Sequence, residues 1–119
     1  MNKLSVLQNF RSNKLIKHPF PYLVLEDALP HSIYKELADS YPSDGYIVEH
    51  DDTRPCSLEN ARPNKRYQIS ANAVLNKTVK LSPLWEDFIA FQTSDAFLNQ
   101  VLGIFEKDIR SLYPDFEKK

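Results

Sequence analysis

The chain has 119 residues, of which 42% are apolar and 12% aromatic, enough for one small hydrophobic core and too apolar for wholesale disorder. A formal net charge of -1 supplies no global field to recruit nucleic acid or an anionic membrane. No apolar run reaches the ~20 residues of a membrane span or forms a secretory signal core. The expectation is therefore a cytoplasmic protein whose partners include neither nucleic acid nor membrane.

Residues 1–18 read as a basic N-terminal helix and tail. Lys3, Arg11, Lys14 and Lys17 all precede the first acidic residue, Glu26, and Leu4, Leu7 and Phe10 recur at three-residue spacing. Residues 19–42 form a strand–helix unit. Pro19 and Pro21 stop any helix, and Tyr22-Leu23-Val24-Leu25 is a continuous apolar run suited to an inner strand covered on both faces. Pro30 fits the first turn of the next helix, Ile33, Leu37 and Tyr41 line one side four apart, and Pro42 closes it.

Residues 43–63 turn polar, with Gly45, Pro55 and Pro63 punctuating a loop in which Tyr46-Ile47-Val48 could form a short edge strand. Unpatterned segments of this length tend to be functional or disordered. Residues 64–114 open on a half-exposed strand, where Tyr67 and Ile69 alternate with Gln68 and Ser70, followed by a helical turn carrying Val74 and Leu75. Two helices end the chain. Ser82 caps the first, with Pro83 at its first position, Glu86 and Asp87 near the positive end of its dipole, and Leu84, Trp85, Phe88 and Ile89 as its apolar stripe. Ser94 caps the second, in which Phe97, Leu98, Val101, Leu102, Phe105 and Ile109 keep the helical period up to Pro114. Two glycines in the whole chain argue against a sheet closed by many tight hairpins. The fold class is α+β, several helices packed on a few short strands, as a single domain or part of one over 1–119.

Chemistry-bearing patterns are few. Cys56 is the only cysteine, which excludes an intrachain disulfide and a cysteine-rich zinc site, and no neighbouring sequence cue activates its thiol. Asn76-Lys77-Thr78 matches the glycosylation pattern without a secretory signal to make it meaningful. His50-Asp51-Asp52 has the letters of the His-x-Asp half of an iron site, yet no histidine follows it, so a charged, solvated loop is the simpler reading. His18 and His31 lack a partner at metal spacing, and no phosphate-cradling glycine loop or nucleophile elbow occurs. In Asn64-Lys-Arg-Tyr-Gln-Ile-Ser-Ala-Asn72, Arg66 could grip a carboxylate with Tyr67 or Asn72 adding hydrogen bonds, the chemistry of a keto-acid or acidic-peptide site. A structural ion pair and cap is the competing reading, and the pattern leaves both open.

Three blocks in order, Pro19-Phe-Pro-Tyr-Leu-Val-Leu-Glu-Asp-Ala-Leu-Pro30 with its helix, Lys65-Arg-Tyr-Gln-Ile-Ser-Ala71, and Ser82-Pro-Leu-Trp-Glu-Asp-Phe-Ile89 continuing to Ser94-Asp-Ala-Phe97, resemble the opening half of 2-oxoglutarate/Fe(II)-dependent dioxygenases of the bacterial and phage prolyl-hydroxylase-like type. The resemblance implies a helical support region at the edge of a double-stranded β-helix. It implies Fe(II) and 2-oxoglutarate for a full-length relative, with the iron ligands and the oxoglutarate-anchoring base in a later half, so no catalytic or metal residue carries over and this chain alone binds neither cofactor. The expectation is a non-catalytic N-terminal portion, truncated before the metal-binding half, whose partner is that missing β-helix half or another protein chain. A free-standing non-enzymatic interaction module is the alternative.

Overall fold

Serine side chains decide where most of the helices begin. In the computed structural model, which describes residues 2–53 and 66–116, the helices are α1 (His31–Asp39), α2 (Asp44–Glu49), α3 (Ala71–Leu75), α4 (Pro83–Gln92) and α5 (Asp95–Leu112). Ser43 Oγ accepts the Tyr46 amide at the start of α2, Ser70 Oγ that of Ala73 at α3, and Ser94 Oγ that of Phe97 at α5, each at 3.2 Å. These bonds satisfy amides that have no intrahelical acceptor. Pro30 begins α1 through its carbonyl, which accepts the Tyr34 amide at 3.0 Å. The only strands among the described residues are β1 (Leu15–Ile16) and β2 (Tyr22–Leu23), an antiparallel pair in the register Leu15 with Leu23 and Ile16 with Tyr22. The architecture is mostly helical with one two-stranded antiparallel sheet, within the α+β class.

The chain divides into two compact units, residues 1–35 with 91–119, and residues 36–90, with the divisions falling inside α1 and α4. In the first unit Leu7 and Leu102 are buried, and so is Ser5, whose hydroxyl donates to Gln100 Oε1 at 2.6 Å while accepting the Leu7 amide at 3.1 Å. Lys17 meets Asp108 of α5 at 2.8 Å, and Phe91 and Phe97 pack edge to face. In the second unit Leu37, Val74 and Val79 are buried. Here α3 ends in a Schellman motif: the Lys77 amide bonds to the Val74 carbonyl at 3.2 Å and that of Thr78 to Ala73 at 3.0 Å, with Lys77 in the left-handed region at φ 66°.

Four sequence expectations are corrected. Leu4, Leu7 and Phe10 lie on successive turns, because Asn2 Oδ1 captures the Leu4 amide at 2.7 Å and Ser5 Oγ that of Leu7, offering the backbone a local alternative to helix. The run Tyr22–Leu25 supplies only the two residues of β2, and Val24 is 66% exposed, since short apolar runs do not by themselves establish strand or burial. Tyr46-Ile47-Val48 is not an edge strand but part of α2, where the Ser43 cap and Asp44 in the first turn favour helix and the rings of Tyr46 and His50 stack across one turn at 4.1 Å. Residues 66–70 form no strand, because the amides a neighbouring strand would pair with are taken by carboxylates: Gln68 donates to Asp51 Oδ1 at 2.8 Å and Ser70 to Asp52 Oδ2 at 3.1 Å. Cys56, Pro55 and Pro63 lie outside the described residues. The helical turn with Val74 and Leu75, the Ser82 and Ser94 starts and both C-terminal helices agree with the sequence reading, although Tyr41 lies beyond the end of α1 and is 60% exposed.

Candidate functional site

A half-open cleft of about 320 Å3 lies within the 36–90 unit, and the local folding of four segments builds it. The segment that follows α1 supplies Tyr41 and Pro42, α2 supplies Ile47, the extended segment supplies Tyr67 to Ile69, and α4 supplies Trp85 and Ile89. Trp85 anchors the arrangement. Its indole N–H donates to the Leu37 carbonyl at 2.8 Å, and its ring meets Tyr41 and Phe88 edge to face, each at 5.7 Å between centroids. With its only donor committed, Trp85 offers the cleft a π-surface. Tyr46 ties α2 to the 79–81 segment through its hydroxyl, which donates to the Lys80 carbonyl. Glu86 Oε2 accepts the Leu81 amide at 3.2 Å and Ser82 Oγ the Trp85 amide at 3.4 Å, so the start of α4 is held from both directions.

Asp51 and Asp52 place the Tyr67–Ile69 wall. Asp51 Oδ1 accepts the amides of Gln68 and Thr53 as well as the Thr53 hydroxyl, while the Asp52 amide donates to the Gln68 carbonyl at 3.0 Å. Hydrogen bonding lowers the pKa of both carboxyls, for Asp51 chiefly from the Thr53 side chain and then the Gln68 amide, for Asp52 from the Ser70 side chain and amide. Both are therefore carboxylates at neutral pH.

Of the residues singled out by sequence, Tyr67 lines the cleft and is 49% exposed. Arg66 and Asn72 are exposed and are not among the lining residues. The Arg66 carbonyl accepts from the Thr53 hydroxyl at 3.2 Å, and Asn72 sits in the first turn of α3. His50 donates through Nδ1 to the Tyr46 carbonyl at 3.0 Å, so His50 and Asp52 both serve local structure. His18 and His31 are exposed, and among the described residues no three His, Cys, Asp or Glu side chains gather in a way that could hold a metal. The described residues thus bring together no donor set of the kind that the iron of the dioxygenase resemblance would need. Sequence reasoning missed Trp85 and Tyr41 as wall residues because each reads as part of a helical apolar stripe; the clue was an aromatic beside each proline-flanked helix boundary, at Tyr41-Pro42 and Pro83-Leu-Trp85.

A second hollow of about 480 Å3 lies in the other unit beside Val6, Leu29, His31 and Tyr34. No helix among the described residues is long and apolar enough to cross a membrane. Comparison of the chain with protein-family models, curated proteins and solved structures found no match.

Proposed function

We propose that this protein works by holding polypeptide and not by chemistry of its own, as the non-catalytic N-terminal support of a 2-oxoglutarate/Fe(II)-dependent dioxygenase-like protein. The observation that carries the reading is exposed apolar surface. On and beside the β1–β2 hairpin Ile16, Phe20 and Val24 are 42%, 62% and 66% exposed, apolar surface that β-helix strands of a partner segment could cover. The ordered resemblance of three sequence blocks and the commitment of His50 and Asp52 to local hydrogen bonds support it further. Fe(II) and 2-oxoglutarate belong, on this reading, to the metal-binding half of a full-length relative, and the setting is cytoplasmic, with neither membrane nor nucleic acid as partner. The aromatic cleft favours a second reading, a free-standing interaction module.

Anaerobic addition of Fe(II) and 2-oxoglutarate is expected to produce no visible charge-transfer band, and air no succinate. The native protein is expected to enhance the fluorescence of a hydrophobic dye. Succinate formation would overturn the non-catalytic reading, and a silent dye the docking surface.

A further inference from the structure

We propose that the cleft of the 36–90 unit receives a basic polypeptide segment, with an arginine or lysine side chain lying on the aromatic faces of Tyr41, Tyr67 and Trp85. This rests on the polypeptide-holding reading and assigns it a site and a partner chemistry.

Three aromatic side chains line one concavity, and two of them, Tyr41 and Tyr67, are 60% and 49% exposed. A planar guanidinium or an ammonium is attracted by such π-faces, and the methylene stem of either side chain covers the apolar wall made by Ile47 and Ile89. Charge selects the cation. On the elements that form and adjoin the cleft, Asp44, Glu49, Asp51 and Asp52 outnumber Arg66 and Lys80. The whole 36–90 stretch carries nine acidic against six basic residues in sequence, a formal charge of -3. Asp51 and Asp52 are bonded directly to Gln68 and Ser70, which puts two carboxylates beside the wall that carries Tyr67. Carboxylates beside one wall of an aromatic cleft attract a basic partner and repel an acidic one.

The full chain supplies its own probe, because Trp85 is its only tryptophan. A short fluorescein-labelled peptide with two arginines among apolar residues would be titrated by anisotropy, and its unlabelled form followed through Trp85 emission. Saturable binding with a change in Trp85 emission is expected. It should weaken at least about tenfold for the exposed-residue variant Tyr67→Ala, weaken again with added salt, and survive in Tyr67→Phe. Far-UV circular dichroism would verify that each variant is folded. Equal binding of a peptide with glutamate in place of arginine, or indifference to Tyr67→Ala, would overturn the proposal. So would concentration-dependent association of the chain alone that Tyr67→Ala abolishes, since the occupant would then be a second copy. Failure of peptide binding with the iron titration silent removes this inference alone, whereas succinate formation removes the reading beneath it.

Discussion

Asp51 and Asp52 show how single side chains can replace a missing strand. Their carboxylates take the amides of Gln68 and Ser70, and these bonds are stronger to the ionised acids than to the protonated ones. Both folded pKa values lie below the ordinary 3.8, so the stabilisation is complete above that value and disappears as pH falls through the lower folded values. Acid unfolding followed by circular dichroism is expected to lose part of its steepness below about pH 4 in Asp52→Asn, at the expense of stability at neutral pH. Tyr67 stands out in the sequence from its place among cations and amides, and of Arg66, Tyr67 and Asn72 it alone lines the cleft. Its partners were not, because Tyr41 and Trp85 reach the same cleft from positions 26 and 18 residues away in the chain, a juxtaposition that no local pattern encodes.

Elements were read well where several local signals agreed. Ser94, the apolar period and the proline beyond Leu112 all point to the α5 that forms, and α4 has the same support from Ser82 and Pro83. Where only an apolar triplet spoke, at Tyr46-Ile47-Val48, the capping serine before it prevailed and the segment became α2. The same logic makes Gly103 an improvable position. It lies in the interior of α5 without positive φ, and a Cβ added there would meet nothing within 4 Å. Gly103→Ala should therefore raise stability by about 0.5–1 kcal/mol, through lower unfolded-chain entropy and better helix propensity, readable as a higher urea midpoint with unchanged slope.

For the molecule as a whole, near-neutral net charge combines with apolar side chains left at the surface, including Phe20, Val24, Leu112 and Tyr113. Around its pI of about 6.3 little electrostatic repulsion opposes contact between copies, so light scattering at fixed concentration should be greatest near that pH and fall on either side. The amino-acid order by itself determined the helical character of the chain and the starts of its last two helices, because capping, period and residue type act over a few neighbouring positions. Only the tertiary structure decided that the N-terminal apolar residues sit on turns, that Tyr22–Leu25 stays largely unpaired, and that Tyr41, Tyr67 and Trp85 line one cleft. Those outcomes depend on hydrogen bonds and packing between distant segments, such as Ser5 with Gln100 and Asp51 with Gln68, whose energies are set by what the rest of the fold brings within reach.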